Sequence, residues 1–234
     1  MHLSVIIATL SRLDTVTLLA ARIHALLPDL DVEIIAVAPA AAIPSGSSEL
    51  VRYIADRGRG VYPAFNEGLR HASGEYVWFL GDDDYPLDGV SGLSGIIRGG
   101  AADLLIAPVL FSSGRIYRPS RTLLILHFLN WCQQGVIYRR RVFEHYRFYR
   151  RLTIQADQYV HILLRVDPSV RRMFLKKPIC VFGVNGISGR KQDEGYRSLR
   201  LALARRTLNC GSFLVFRALV ILQPTIKRLL DIRS

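Results

Sequence analysis

The chain has 234 residues, of which 50% are hydrophobic and 21% are charged. That length allows one α/β domain with a full core or at most two small domains, and the composition excludes a disordered protein. The formal net charge is +12, an excess that suits nucleic acid, an anionic membrane surface or a phosphorylated substrate. We disfavour nucleic acid, because many basic residues lie within apolar or amphipathic stretches and no zinc-finger spacing or RNP-like aromatic pattern accompanies them.

Cysteine usage and the start of the chain bear on its cellular location. Cys132, Cys180 and Cys210 are scattered and form no CxxC pair, which favours partly buried thiols in a reducing, cytoplasmic setting. The chain begins with a strand-like segment and has no basic region followed by a cleavable apolar stretch, so we expect no signal peptide. No uninterrupted apolar run reaches the roughly 18 residues that would span a bilayer.

Predicted strands and helices alternate over the first part of the chain. Apolar, β-branched runs predict buried strands at 3–8, 32–37, 50–54 and 76–80, helical periodicity predicts helices at 14–27 and 62–72, and a turn-rich composition predicts a loop at 39–48. This order indicates an α/β fold with a mainly parallel, twisted sheet. Ligands of such sheets bind beyond the carboxyl ends of the strands, where Thr9 and Asp82-Asp83-Asp84 fall.

The second part of the chain has a mixed pattern. It predicts strands at 104–107, 135–138 and 178–184 and a helix at 156–166. From residue 193 onward the sequence is helical in character, and Pro224 is expected to kink or end the last helix.

Three adjacent aspartates, Asp82-Asp83-Asp84, directly follow the predicted strand 76–80. Like charges this close repel one another, and a carboxylate is costly to place near a buried strand end. A hard divalent cation with oxygen ligands relieves the repulsion, and magnesium or manganese suits one or two carboxylates completed by substrate phosphates. On these residues alone, a solvated acidic turn before Pro86 explains the cluster equally well.

Several segments together resemble family 2 glycosyltransferases. Residues 57–80 (RGRGVYPAFNEGLRHASGEYVWFL) resemble the helix and hydrophobic strand that precede that family's acidic motif. Residues 4–9 (SVIIAT), followed by Arg12, resemble its first strand and loop, and 134–140 (QGVIYRR) and 156–159 (ADQY) resemble its acceptor-side segments. The matches run in the family's order over most of the chain, which makes them more specific together than singly.

The resemblance implies a GT-A (nucleotide-diphospho-sugar transferase) fold, in which helices flank a mainly parallel central sheet. It implies a catalytic domain at 1–192, with a nucleotide-sugar-binding half at 1–110 and an acceptor half at 111–192, and a basic amphipathic helical tail at 193–234. It also implies transfer of a sugar from a nucleoside-diphosphate sugar, UDP-type by preference, to a hydroxyl of a glycan or lipid-linked acceptor. Mn²⁺ or Mg²⁺ is the implied cofactor.

Carried over by position, the resemblance assigns donor-side roles. Asp84 would bind the cation that bridges the two donor phosphates, Asp83 would contact the ribose or sugar, and Asp82 would support them. As a Lewis acid, the cation would stabilise charge on the departing diphosphate. Thr9 and Arg12 would line the nucleotide pocket at the end of the first strand.

Other matched residues have competing structural explanations. Arg57 and Asn66 would contact the nucleotide or diphosphate, although a solvated turn and a helix surface explain them without the resemblance. Asp157 is the candidate general base that deprotonates the acceptor hydroxyl in an inverting transfer, but a carboxylate near a helix N-terminus is also favoured by the helix dipole. Gln134 would line the acceptor side, and Gln133 stands where the family often carries His.

The sequence departs from the family pattern after the second strand. The family usually has an Asp there that reads the base, whereas this chain has Val37-Ala38-Pro39-Ala40, without a carboxylate. The departure leaves the donor base open and raises an alternative function, a weakly active or inactive GT-A domain that serves as a binding partner.

The tail alternates basic and apolar residues. Its arginines and lysines are separated by Phe213, Leu214, Phe216 and Leu219, a pattern typical of an amphipathic helix that lies on anionic lipid. A helix packed on the catalytic domain with a solvated basic face explains it equally well. The first alternative predicts a peripheral protein on the inner face of the cell membrane and fits a lipid-linked acceptor in polysaccharide synthesis.

Overall fold

The computed structural model describes residues 2–45, 48–56, 60–183 and 194–231. The helices are α1 (Leu13–Leu26), α2 (Val61–His71), α3 (Ser94–Gly99), α4 (Leu123–Leu126), α5 (Ala156–Val166), α6 (Glu194–Thr207) and α7 (Cys210–Asp231). The strands are β1 (Leu3–Ala8), β2 (Val32–Pro39), β3 (Arg52–Asp56), β4 (Tyr76–Gly81), β5 (Tyr85–Pro86), β6 (Leu104–Ile106), β7 (Val109–Phe111), β8 (Ile116–Tyr117), β9 (Val136–Arg139), β10 (Arg172–Phe174) and β11 (Cys180–Phe182). Short 3₁₀ turns lie between several of these elements.

The central sheet has seven strands in the order β10-β6-β9-β4-β1-β2-β3. Its pairs are parallel except at β9, which runs antiparallel to both β4 and β6. A second sheet joins the short strands in the order β5-β11-β7-β8. The α/β class and the mainly parallel sheet are therefore as predicted, and β9, from the second half of the chain, lies between strands of the first half.

The strand β4 is buried on both faces. Val77 and Phe79 point into the cluster that packs against α2 and α5, whereas Trp78 and Leu80 point into the cluster that packs against α1 and α3. A strand covered by helices on both sides gains from apolar residues at every position. This burial explains the unbroken apolar run before Asp82 and fixes where the chain leaves the core.

Several observed boundaries differ from the predicted ones by one or two residues, and those of two strands have identifiable reasons. The third strand is β3 rather than 50–54, because the hydroxyl of Ser48 accepts hydrogen bonds from the backbone N–H groups of Leu50 (3.3 Å) and Val51 (3.2 Å) and forms a turn there. The last predicted strand, 178–184, is limited to β11, and residue 184 lies outside the described residues.

Helices α1 and α7 add two details to the predicted pattern. The buried face of α1 carries Val16, Leu19, Ala20 and Ile23, whereas Leu18 is 72% exposed. With 3.6 residues per turn, position 18 falls opposite positions 16 and 20. Helix α7 continues through Pro224 to Asp231, so the proline does not end it; the lost backbone donor removes one hydrogen bond of a long helix.

Helix α2 approaches the sheet closely at Gly68. A Cβ atom at this position would overlap Cγ2 of Ile6 on β1 and lie 3.0 Å from Cγ2 of Val37 on β2. We expect Gly68→Ala to lower the free energy of unfolding in urea by about 1–3 kcal/mol, as overpacking does elsewhere. The matched control is Gly95→Ala in α3, where a Cβ meets nothing within 4 Å; equal effects of the two substitutions would contradict the close approach.

Candidate active site

The edge of the sheet at the ends of β1 and β4 brings together three of the predicted donor-side residues. The parallel register pairs Ala8 with Gly81, so Thr9 and Asp82 follow side by side. The hydroxyl of Thr9 donates to Oδ2 of Asp82 at 2.6 Å and accepts from the backbone N–H of Arg12 at 3.1 Å. The Arg12 guanidinium lies 3.4 Å from the other Asp82 oxygen. Asp82 is thus held by β1 and the loop after it.

Of the next two aspartates, Asp84 is buried and Asp83 is exposed. Asp84 is 2% exposed, and its Oδ2 accepts a hydrogen bond from the backbone N–H of Gly81 at 2.7 Å. Its Oδ1 is buried and has no hydrogen-bond partner among the described residues. Burial, with the charge of Asp83 adding to it, raises the pKa of Asp84 to about 8, and partial burial also raises the pKa of Asp83. A solvated acidic turn therefore does not explain Asp84, whose carboxyl lies in the interior.

Asp157 lies in the first turn of α5 and is 8% exposed. Its Oδ1 accepts hydrogen bonds from the Tyr62 hydroxyl at 2.7 Å and from the backbone N–H of Gln158 at 2.8 Å. Its Oδ2 accepts from Nδ2 of Asn130 at 2.6 Å. Burial raises the pKa of Asp157 to about 6 although these donors oppose the shift. A carboxylate with a pKa near the working pH is suited to general-base catalysis.

A short segment, Asn130 to Gln134, connects the two acidic sites. Asn130 contacts Asp157, and the side chain of Gln134 lies close enough to Asp84 to lower its pKa. Between them, burial first and then the charges of Asp157 and Asp84 raise the pKa of the Cys132 thiol to about 12. Since both charges affect this thiol, Asp84 and Asp157 both lie near the segment Asn130 to Gln134.

The remaining predicted residues are placed as follows. The Asn66 side chain is bonded to the backbone of Phe148, with Nδ2 donating to the carbonyl at 2.8 Å and Oδ1 accepting from the N–H at 3.3 Å. It therefore fastens the loop before α5 to α2. Gln134, expected on the acceptor side, lies by Asp84. Arg57 lies outside the described residues.

Three residues around Asp157 were not identified from the sequence as functional. Tyr62 appeared only as part of the helix motif, and Asn130 and His161 belong to no motif. The one available signal was a polar residue in an otherwise apolar segment, since both Asn130 and His161 interrupt runs of apolar residues. Gln133 joins the same group, because its Oε1 lies 3.0 Å from the hydroxyl of Tyr138.

The position without the expected carboxylate is a buried one. Ala38 is fully buried in β2, and the strand ends at Pro39. A carboxylate does stand at this edge on the neighbouring strand: Asp56, the last residue of β3, is in register with Pro39.

Comparisons with known proteins identify the family and the fold of the chain. The sequence profile of glycosyl transferase family 2 matches residues 4–182. The chain therefore belongs to glycosyl transferase family 2. No curated protein matches the chain.

Solved structures establish the fold. The crystal structure of S. aureus TarS is similar at a TM-score of 0.63 and 21% identity, over 89% of this chain and 40% of TarS. TarS 1-349 in complex with UDP is similar at a TM-score of 0.63 and 20% identity, over 91% of this chain and 68% of the other. The complex of TarS 1-349 with UDP-GlcNAc gives 0.59 and 20%, over 88% and 65%. The fold is GT-A, and this chain spans less than half the length of the longer TarS chain.

The raised pKa of Asp157 makes a prediction about stability. An aspartate in an unfolded chain has a pKa of about 3.9, so the fold disfavours the carboxylate: the penalty is absent below about pH 4 and complete above about pH 6. We expect the free energy of unfolding of Asp157→Asn, relative to the unsubstituted chain, to increase by about 2–3 kcal/mol between pH 4 and pH 8. Urea denaturation at each pH measures it.

Asp167→Asn is the control with the opposite sign. Hydrogen bonds from Ser169 and Tyr146 lower the pKa of Asp167, so its carboxylate stabilises the fold at neutral pH and that contribution disappears in acid. The relative stability of Asp167→Asn should therefore fall as the pH rises. A pH-independent difference for Asp157→Asn would contradict the environment described for Asp157.

Proposed function

We propose that the chain transfers a sugar from a nucleoside-diphosphate sugar to a hydroxyl of a glycan or lipid-linked acceptor, with inversion at the anomeric carbon. The observation that carries this proposal is the pairing of two buried carboxylates, Asp84 and Asp157, near the segment Asn130 to Gln134. The TarS complexes with UDP and UDP-GlcNAc support a UDP-type donor. Ala38, in place of a base-reading carboxylate, leaves recognition of that base to other residues.

The donor side fits a divalent cation. The described residues contain no cluster of three or more His, Cys, Asp or Glu side chains that would hold a cation by itself. Asp84, however, has a buried oxygen without a donor next to two further acidic residues, which suits Mn²⁺ or Mg²⁺ completed by the donor phosphates. Such a cation would supply Lewis-acid stabilisation of the charge on the leaving diphosphate.

Asp157 supplies the other half of the reaction. Its carboxylate takes the proton of the acceptor hydroxyl as that oxygen attacks the anomeric carbon, and the bond from this carbon to the diphosphate oxygen breaks. Because the pKa of Asp157 is raised to about 6, the carboxylate is ionised at neutral pH and remains basic enough to accept the proton. Thr9 and Arg12 hold Asp82 at the nucleotide end of the site.

Transfer or hydrolysis of UDP-sugars in the presence of manganese tests the proposal. We expect Asp84→Asn to lower kcat on the order of a hundredfold or more, the scale seen when charge stabilisation of a transition state is removed. Asp88→Asn is the matched control, since Asp88 is exposed and forms a surface ion pair with Arg22. Binding of UDP-sugar without turnover in the unsubstituted chain would instead support an inactive GT-A domain.

We also propose that the tail contacts anionic lipid on the cytoplasmic face of a membrane. Helix α6 packs on the catalytic domain through Tyr196, Leu203 and Ala204, and α7 packs through Phe216, which lies against His127 and Phe128. Over residues 210–222 of α7, Phe213 and Val220 are partly exposed, and five further large apolar residues are exposed, namely Leu214, Val215, Leu219, Ile221 and Leu222. Across the described residues no helix is both long and apolar enough to cross a bilayer.

The composition of α6 and α7 favours contact of these exposed apolar residues with a lipid surface. Arg205, Arg206 and Arg217 are exposed on the same two helices, and basic residues next to exposed apolar ones give affinity for anionic membranes. A membrane position would bring the enzyme to a lipid-linked acceptor, as cell-surface polysaccharide synthesis requires. The packing of α6 and the exposed apolar residues within 210–222 of α7 support this proposal.

Co-sedimentation with vesicles of anionic phospholipid tests the lipid contact. Ile221→Glu should weaken vesicle binding about tenfold, because burying one large aliphatic side chain contributes about 1.5–3 kcal/mol. Leu18→Glu on α1 is the matched control, since Leu18 is 72% exposed and Ile221 is 70% exposed. Equal vesicle binding by the two variants would show that α7 is not the contact surface.

A further inference from the structure

The hydrogen bonds to Asp157 leave one position of its carboxylate open. Tyr62 and the backbone N–H of Gln158 donate to Oδ1, and Asn130 donates to Oδ2. A carboxylate oxygen accepts two hydrogen bonds. The single hydrogen of the Tyr62 hydroxyl also has the Ile154 carbonyl within reach, but in either orientation this hydroxyl occupies one position at Oδ1. Among the described residues, Oδ1 therefore has no position left, whereas Oδ2 has a second lone pair available to an acceptor hydroxyl.

Asn130 is itself held by His161. Nδ1 of His161 lies 2.8 Å from Oδ1 of Asn130, and Nε2 lies 2.5 Å from the hydroxyl of Tyr138. Burial lowers the pKa of His161 to about 3, so the ring is neutral at neutral pH and carries one N–H. Because Asn130 presents its N–H group to Asp157, its Oδ1 needs a donor, and the His161 hydrogen must be on Nδ1.

The same reasoning extends to Tyr138 and Gln133. With the His161 hydrogen on Nδ1, Nε2 accepts the single hydrogen of the Tyr138 hydroxyl. Gln133 must then donate to that hydroxyl rather than accept from it. Nε2 of Gln133 is buried without a partner, and turning the amide by 180° places it at the 3.0 Å position facing Tyr138. Amide orientation and histidine tautomer follow here from the network of donors and acceptors.

Resting on the proposed role of Asp157 as the base, we infer that Asn130 and His161 are positioning residues that aim the open lone pair of Asp157 Oδ2 at the acceptor hydroxyl. The donors run in one direction, from Gln133 through Tyr138, His161 and Asn130 to Asp157, and each bond polarises the next. In the reverse direction Oδ1 of Asn130 would face Asp157 Oδ2 at 2.6 Å, an arrangement that repels unless Asp157 carries a proton. The direction of these hydrogen bonds therefore favours the ionised form of Asp157.

Few other groups titrate near Asp157. Burial raises the pKa of each further titratable group that faces it, namely Tyr62, Tyr138, Cys132 and Tyr196. Asp84, whose pKa is raised to about 8, contributes to a pH–rate profile in the same range, so the titration has to be observed at the Asp157 carboxyl itself. A donor to the charged form lowers a pKa, so loss of Asn130 or of its support by His161 moves the Asp157 titration to higher pH.

The test combines NMR and kinetics on the full chain. With ¹³C-labelled aspartate and ¹⁵N-labelled histidine, the Asp157 carboxyl, assigned by its absence in Asp157→Asn, should titrate about one pH unit higher in Asn130→Ala. His161 should show the Nδ1–H tautomer at pH 8. Kinetically, Asn130→Ala and His161→Phe should lower kcat about tenfold to a hundredfold, with the KM for the donor within about twofold of the original.

Two controls keep the result interpretable. His161→Gln, which retains an N–H donor, should recover part of kcat, and His145→Phe, at an exposed position, should change neither the titration nor kcat. Unchanged donor binding and thermal stability show that a variant is folded. An Asp157 titration that stays in place in folded Asn130→Ala, or an Nε2–H tautomer of His161, would overturn the inference. If the titration shifts but the unsubstituted chain transfers no sugar, the positioning stands and the proposed function fails.

Discussion

The pairing of β4 between β1 and β9 is the constraint on which the rest of the molecule depends. Since β4 is buried on both faces and hydrogen-bonded on both edges, the chain leaves the core at one fixed point, Gly81. The parallel neighbour β1 ends at the same level, which brings Thr9 to Asp82. The antiparallel neighbour β9 begins just after the segment Asn130 to Gln134. The pairing with β1 positions Asp82, and the pairing with β9 positions the segment Asn130 to Gln134, which contacts Asp157.

Burial acts on the two main carboxylates with different results. Asp84 has a close donor at one oxygen only, the backbone N–H of Gly81, with further contributions from Gln134 and Gly183, and its pKa is raised to about 8. Asp157 has close donors at both oxygens, and its pKa is raised only to about 6. Donors at hydrogen-bond distance from both oxygens of Asp157 thus compensate more of the desolvation cost. A carboxylate with little compensation suits a cation, and one with more compensation suits proton transfer.

The sequence predicted the elements whose pattern is local. Helix 156–166 and the strands 3–8 and 76–80 could be identified because helical periodicity and the apolar run of a buried strand are patterns of consecutive residues. Of the small second sheet only β11 was predicted, as part of 178–184, since its other strands of two or three residues show no alternation. The acidic cluster was visible as adjacent residues, whereas Asn130, His161 and Tyr62 meet Asp157 from separate elements. Contacts of that kind depend on the packing of side chains far apart in the chain.

The antiparallel position of β9 has a consequence for synthesis on the ribosome. The edge of β4 that pairs with β9 stays open until residues 136–139 have been made, and β6 also lacks its partner until then. During that interval a long, apolar strand presents unpaired backbone groups, which is the kind of edge that recruits other chains. A nascent chain of this protein is therefore most vulnerable to aggregation after the donor-side residues have emerged and before β9 follows. Truncation between β6 and β9 would leave that edge exposed permanently.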